Sequence, residues 1–157
     1  MTTLDDARAA AERLVRRLLA RNVRVATAES LTGGLASHVL VDVPDSGEVH
    51  LGGVVAYDSE AKRRVLGVGD GPVVSGRCAQ EMAAGVQRLF GAPCAIAFTG
   101  VAGPAEQEGL PVGTVFIAAR AGERSAVVGR RFDGDPDEIR LQAVCQGVDL
   151  LTELLGG

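Results

Sequence analysis

The sequence predicts an α/β protein: a single three-layer α/β/α sandwich domain, residues 1–157, with a mixed sheet. Three observations favour this fold. Segments with helical periodicity and segments with strand periodicity alternate along most of the chain. Two apolar segments joined by a short turn then interrupt the alternation as a hairpin, which adds antiparallel strands to a parallel sheet. The length of 157 residues suits one compact domain.

In the N-terminal half, apolar residues that recur every three or four positions predict an amphipathic helix over residues 4–18, with Arg13, Arg16 and Arg17 on its wetter side. Asn22 ends this helix. A buried strand over residues 23–28 and a short helix over residues 33–40 follow. The next strand, residues 49–57, contains a glycine pair that indicates a bulge or a close backbone approach.

In the remainder of the chain, the predicted helices begin at recognisable capping residues. Ser59 is the expected N-cap of a helix to residue 66, and Ser75 that of a helix to Phe90. The last helix has the clearest start, with Asp135, Pro136 and Glu138 at the N-cap, N1 and N3 positions of a capping box. The predicted strands between the last two helices cover residues 94–98, 113–119 and 125–132.

Composition argues against several classes of partner. The net charge of −4 does not suit a protein that binds the phosphate backbone of nucleic acid. Aromatic residues make up only 3% of the chain and Trp is absent, so platforms for stacking bases are not expected. No apolar run approaches the ~18 residues of a membrane span, and no signal core begins the chain. We therefore expect a cytoplasmic protein that binds neither nucleic acid nor a membrane.

The cysteines and histidines do not predict a metal site. Cys78, Cys94 and Cys145 are far apart and odd in number, which is typical of buried free thiols in a reducing compartment. His38 and His50 lack the spacing of metal ligands.

Polar loops follow three of the predicted strands. The sequences AESLTGG, YDSEAK and TGVAGP each combine small residues with a reactive or hydrogen-bonding side chain. Because sites in open α/β sheets form beyond the carboxyl ends of strands, we expect these loops to meet at one site if their strands are neighbours.

Ser30 and Lys62 are the candidate reactive pair. A serine hydroxyl is a weak nucleophile and needs a nearby base. Lys62 is the only lysine in the chain, and arginine does not deprotonate in proteins, so Lys62 alone can supply an amine base. Burial or nearby positive charge would lower its pKa far enough for this role.

Each candidate also has a purely structural interpretation, which one sequence leaves open. Ser30 or Thr32 can cap the following helix, and Lys62 can lie on a solvated helix face. Tyr57 can be a packed residue with a wet hydroxyl, and Thr99 can satisfy a strand end. Arg140 can pair with Asp137 at the surface. The glycines in question are turn residues or points of close ligand approach: Gly33, Gly34, Gly100 and Gly103.

Five blocks in order, TAESLTGG, VVAYDSEAKRRVLGV, FTGVAGP, PVGTVFIA and FDGDPDEIRLQA, closely resemble the CinA C-terminal domain family. The resemblance runs from about residue 4 to residue 155. It implies a nicotinamide-nucleotide amidohydrolase that converts nicotinamide mononucleotide to nicotinate mononucleotide and ammonia. Larger CinA proteins have a further N-terminal domain, and we expect this chain to be the stand-alone amidohydrolase domain. The resemblance also implies a homo-oligomer.

The resemblance assigns roles residue by residue. Ser30 matches the serine of the E-S-[CT]-T-G-G block as nucleophile, and Lys62 the lysine of Y-x-x-E-A-K as base. Tyr57 would position or activate this pair. The substrate-binding positions implied are Thr32, Gly33, Gly34, Thr99, Gly100 and Arg140, with backbone N–H groups of residues 32–34 at the oxyanion and Arg140 at the nucleotide phosphate.

No metal or cofactor is expected in this mechanism, because the pyridinium ring already withdraws electrons from the amide. Glu29 is open: it either pairs with Lys62, which would raise the lysine pKa, or anchors its loop to backbone groups. The chain departs from the family pattern at Leu31 and after Pro104, where Ala105, Glu106, Gln107 and Glu108 replace glycines. A non-catalytic nucleotide-binding or regulatory module, and a structural domain that assembles through its helices, are therefore the alternatives.

Overall fold

The computed structural model describes residues 1–156 and contains a five-stranded sheet of order β2-β1-β3-β4-β5. Strand β1 pairs in parallel with both β2 and β3, whereas the β3–β4 and β4–β5 pairs are antiparallel. The predicted mixed sheet is therefore confirmed. The strand bounds are β1 Val25–Glu29, β2 His50–Val55, β3 Cys94–Gly100, β4 Thr114–Ala121 and β5 Arg124–Arg131.

Helices cover both faces of this sheet. One apolar core lies between the sheet and helices α1, α2 and α5, and a second lies between the sheet and helices α3 and α4. The three-layer α/β/α architecture is thus confirmed. The helix bounds are α1 Leu4–Arg21, α2 Leu35–Val41, α3 Ser59–Leu66, α4 Gly76–Phe90 and α5 Pro136–Leu154, with a short 3₁₀ turn at Ser46–Glu48.

The N-cap residues of α4 and α5 are those predicted, and that of α3 is not. Ser75 accepts a hydrogen bond from the Cys78 N–H, and Asp135 forms the predicted capping box with Glu138. The prediction for α3 is wrong by one residue, because Asp58 rather than Ser59 accepts the first N–H groups of the helix. The Asp58 carboxylate accepts these hydrogen bonds. Because it is negatively charged, it also interacts favourably with the positive end of the helix dipole, which the Ser59 hydroxyl would not do.

The N-cap residue of helix α2 has no side chain that could cap the helix. Gly34 occupies that position in a left-handed conformation, with φ of 102°. The prediction that Ser30 or Thr32 caps this helix is therefore wrong. The N–H groups at the start of α2 bond instead to a carboxylate from β1, as described below.

The glycine pair of β2 accounts for the irregular edge of the sheet. The register between β1 and β2 shifts near Val25, which is the predicted bulge. A Cβ atom on Gly53 would lie 2.2 Å from Thr27 Oγ1, so the close approach is also confirmed. Any larger side chain at Gly53 would push the edge strand away from β1.

Three loops that carry the candidate residues meet at one edge of the sheet. Because β2, β1 and β3 are adjacent and parallel, their carboxyl ends lie at the same edge of the sheet. The loops that follow these strands start at residues 56, 30 and 101, and they carry the polar segments identified in the sequence. The predicted convergence of the three loops is confirmed.

Two further properties concern residues 1–156 only. No helix in this part of the chain has the length and apolar character required to cross a membrane. The cysteines are free thiols: Cys78 and Cys94 are buried as predicted, whereas Cys145 is only partly buried. Burial raises the pKa of Cys94 and of Cys145 to about 11, so both thiols stay protonated at neutral pH.

Candidate active site

A cavity of about 450 Å³ opens where the three loops meet. Five of the predicted site residues line it: Ser30, Tyr57, Lys62, Thr99 and Gly100. They lie in the segments that follow β1 and β2, in α3 and in β3, so only the folded sheet brings them together.

Ser30 is the first residue after β1, and the backbone of the neighbouring strand holds it in place. Its N–H donates to the Phe98 carbonyl of β3 at 3.0 Å. The side chain is buried, with 5% of the residue exposed, and it borders the cavity. Within residues 1–156 the Ser30 hydroxyl makes no hydrogen bond to a protein group. Its oxygen is therefore free to interact with a bound ligand.

Lys62 lines the same cavity and is buried, with only 2% of the residue exposed. The interpretation as a solvated helix face is therefore wrong. Its Nζ donates to the Tyr57 carbonyl oxygen at 2.8 Å, which directs the amine back toward the end of β2. Burial lowers the pKa of Lys62, because the charged amine is separated from water.

Ser30 and Lys62 border one cavity without a hydrogen bond between them in the described residues. Hydrogen bonds between catalytic groups are often long in the absence of substrate and shorten when the substrate is bound. A nucleophile and a base that line the same cavity can both reach a substrate bound in it.

Glu29 has a structural role that the sequence left open. Its buried carboxylate accepts hydrogen bonds from the hydroxyls of Thr27 and Thr32 and from the N–H groups of Ala36 and Ser37, at distances of 2.8–3.3 Å. These four donors occupy both oxygens, so Glu29 caps helix α2 and anchors the Ser30 loop to it. Within residues 1–156 it forms no ion pair with Lys62.

The contacts of Tyr57 and Thr99 differ from those that the sequence predicted. The Tyr57 residue is 73% exposed, so the interpretation as a packed tyrosine is wrong, and its carbonyl rather than its hydroxyl contacts Lys62. The Thr99 hydroxyl donates to the Val73 carbonyl at 2.5 Å. This bond ties the end of β3 to the segment that precedes α4, and it leaves the lone pairs of the hydroxyl oxygen as acceptors.

The remaining predicted residues border a second cavity, of about 590 Å³, which lies across the Ser30 loop from the first. Thr32, Gly33, Gly34 and Arg140 line it, and none of them lines the cavity with Ser30. The Gly33 N–H donates to the Ser30 carbonyl at 3.1 Å, so it is already engaged within the loop. Arg140 makes the expected pair with Asp137 and a further bond to the Leu31 carbonyl.

The sequence pattern of the CinA C-terminal domain matches residues 7–155, nearly the whole chain. The chain belongs to the CinA C-terminal domain family. Its curated relatives include a CinA-like protein of Frankia casuarinae, 41% identical over 145 residues, and one of Thermotoga maritima, 38% identical over 152 residues. These matches cover 89% and 93% of this chain but 34% and 37% of the relatives, so the chain spans about a third of their length.

Solved structures of the CinA superfamily have the same fold. A competence-damaged protein (CinA) superfamily protein of Klebsiella pneumoniae superposes with a TM-score of 0.91 at 38% identity, covering 95% of this chain and 97% of that one. The corresponding Escherichia coli protein superposes with a TM-score of 0.92 at 30% identity, covering 98% and 94%. The α/β/α domain described above is thus the architecture of this superfamily.

The loop after Pro104 contains two of the residues that the sequence analysis set against the family pattern, Glu106 and Glu108. Glu106 lines the cavity that contains Ser30 and is exposed to solvent. Glu108 turns away, and its carboxylate accepts the N–H groups of Val73 and Val74 at 2.9 and 2.7 Å. One of the two added carboxylates is therefore structural, whereas the other contributes negative charge to the cavity.

The sequence did not identify the anchoring roles of Asp58 and Glu108. Asp58 had a detectable signal, since an aspartate directly before a helical segment is a preferred N-cap. Glu108 had none, because the N–H groups that it binds are more than thirty residues away in the chain.

Proposed function

We propose that this chain hydrolyses the carboxamide of nicotinamide mononucleotide to nicotinate mononucleotide and ammonia. Ser30 acts as the nucleophile and Lys62 as the general base. One observation carries the proposal: a serine with an unpaired hydroxyl and a buried lysine with a lowered pKa line one cavity. Family membership is compatible with the same chemistry.

In the first half of the reaction, neutral Lys62 takes the proton of the Ser30 hydroxyl as the oxygen attacks the carboxamide carbon. The carbonyl oxygen of the substrate becomes an oxyanion, which backbone N–H groups of the Ser30 loop stabilise. When the C–N bond breaks, Lys62 gives its proton to the departing nitrogen and ammonia leaves. The nicotinoyl group remains as an ester on Ser30.

In the second half, Lys62 accepts a proton from water as the water oxygen attacks the ester carbon. The bond to Ser30 then breaks, and Lys62 returns the proton to the serine oxygen. The product is released as the carboxylate with loss of its own proton to solvent. The same amine serves in both halves because each half begins and ends with Lys62 neutral.

Ammonia and nicotinate mononucleotide should be measured together after incubation of the purified protein with nicotinamide mononucleotide. We expect the two products in equal amounts, and we expect Lys62→Met to lose nearly all turnover, because methionine keeps the apolar stem but has no base. Arg63→Met is the matched control, since it removes a neighbouring cation from the same helix. Folded wild-type protein that forms neither product between pH 6 and about pH 10 would refute the proposal.

A second candidate is a non-catalytic nucleotide-binding module. It is favoured by one observation, the exposed Glu106 in the cavity where the family pattern has glycine. This candidate predicts saturable binding of nicotinamide mononucleotide by calorimetry with no release of ammonia. The product assay above separates the two functions.

A further inference from the structure

Arg140 connects the last helix to the loop that carries Ser30. Its Nε donates to the Leu31 carbonyl at 2.9 Å, a contact between residues 109 positions apart in the chain. Its NH1 group lies 3.3 Å from the Asp137 carboxylate, which is 93% exposed. Exposed ion pairs contribute little, so the bond to Leu31 is the contact with structural consequence.

Leu31 and Thr32 are the central residues of a tight turn. The Gly33 N–H donates to the Ser30 carbonyl, which closes a four-residue β-turn over residues 30–33. The central peptide of such a turn has two orientations, which distinguish type I from type II. Thr32 is absent from the described residues with positive φ, so the turn does not have the type II conformation.

The orientation of this peptide decides where the Thr32 N–H points. In a planar trans peptide the carbonyl oxygen and the following N–H lie on opposite sides. Because Arg140 binds the Leu31 oxygen, the Thr32 N–H is directed away from Arg140 and from the second cavity, although other atoms of Thr32 line that cavity. Within residues 1–156 this N–H donates to no protein acceptor, so it is available to a ligand.

We propose that Arg140 is a positioning residue, which holds the Leu31–Thr32 peptide so that the Thr32 N–H stabilises the oxyanion formed at Ser30. The proposal rests on the amidohydrolase function above. It replaces the expected role of Arg140 at the nucleotide phosphate, since the Arg140 Nε already binds the protein backbone. Without Arg140 the peptide is free to rotate. The variant therefore binds the transition state less tightly, while binding of the substrate changes less.

Steady-state kinetics of Arg140→Met should be measured on nicotinamide mononucleotide and on nicotinamide riboside, which lacks the phosphate. We expect kcat to fall by about 10²-fold on both substrates with KM unchanged, the scale of a lost oxyanion donor. Asp137→Asn keeps the bond to Leu31 and is expected to retain the wild-type rate. Circular dichroism and thermal melting establish that both variants are folded.

Two kinetic results would overturn the proposal: a rise in KM confined to the mononucleotide, as for a phosphate ligand, or a kcat within about twofold of wild type. A second readout is independent of turnover. In a ¹H–¹⁵N spectrum the Thr32 amide should shift in Arg140→Met and stay in place in Asp137→Asn. If the wild type hydrolyses neither substrate, the proposed function fails and the spectrum alone decides, an unmoved Thr32 amide then refuting the positioning role.

Discussion

At Lys62, burial and neighbouring charges act on the pKa in opposite directions. Loss of hydration lowers it, while the nearby Cys78, Asp58 and Glu108 raise it. Burial has the larger effect, so a greater fraction of Lys62 is neutral at a given pH than for a lysine in water. A base with these properties makes activity rise with pH as the amine loses its proton.

We therefore predict that kcat/KM increases with pH through a midpoint below 10.5, the ordinary pKa of lysine. In Asp58→Asn the midpoint should move to lower pH, because the variant removes a negative charge that stabilises protonated Lys62. Asparagine is as good an N-cap as aspartate, so helix α3 is preserved. A pH–rate profile tests this, and a midpoint that stays in place or moves to higher pH would contradict it.

Glu106 tests how the altered loop affects the substrate. Its exposed carboxylate borders the cavity and repels a phosphate bound there. Glu106→Gln should lower KM for nicotinamide mononucleotide by about twofold to fivefold, the scale of an exposed charge interaction. KM for nicotinamide riboside is the internal control and should not change. An equal change for both substrates would show that charge repulsion is not the cause.

At the scale of single elements, Glu29 joins β1 to α2 through four hydrogen bonds. In Glu29→Gln an amide nitrogen replaces one acceptor and meets donors instead. We predict a loss of about 1–3 kcal/mol in the free energy of unfolding, measured in urea. Glu123→Gln, in the exposed β4–β5 turn, is the control and should change little. A Glu29→Gln protein as stable as wild type would show that this carboxylate does not stabilise the fold.

Most elements could be predicted because their signals are local. The repeat of apolar residues in α1 and the capping box of α5 lie within a few positions of each other, and both were found at the expected residues. The role of Glu29 could not be predicted, because its partners include N–H groups seven and eight residues later whose direction depends on the start of α2.

At the scale of the whole molecule, α5 packs closely over β3 at Gly147. A Cβ atom there would lie 2.4 Å from the Phe98 ring, and the Phe98 carbonyl accepts the Ser30 N–H. Gly147→Ala should therefore cost about 1–3 kcal/mol of stability through overpacking, seen as a lower Tm. Gly47→Ala, with open space around it, is the control. Equal melting temperatures in the two variants would contradict this packing.

The site as a whole could be predicted only in part. The loops after three strands were expected to meet, and the strand order β2-β1-β3 brings together Ser30, Lys62 and Thr99. The separation of Thr32 and Arg140 into another cavity was not predictable, because it depends on how α5 packs against the loop. Two residues that are close together in a motif can face opposite sides of a loop.

The role of Ser30 as the nucleophile is tested most directly by the kcat for ammonia release from nicotinamide mononucleotide in Ser30→Ala compared with Ser59→Ala. Both serines line the same cavity, but only Ser30 is assigned as the nucleophile. We predict that Ser30→Ala loses at least about 10³-fold in kcat, while Ser59→Ala keeps a rate close to wild type. A Ser30→Ala protein that retains the wild-type rate would show that Ser30 is not the nucleophile.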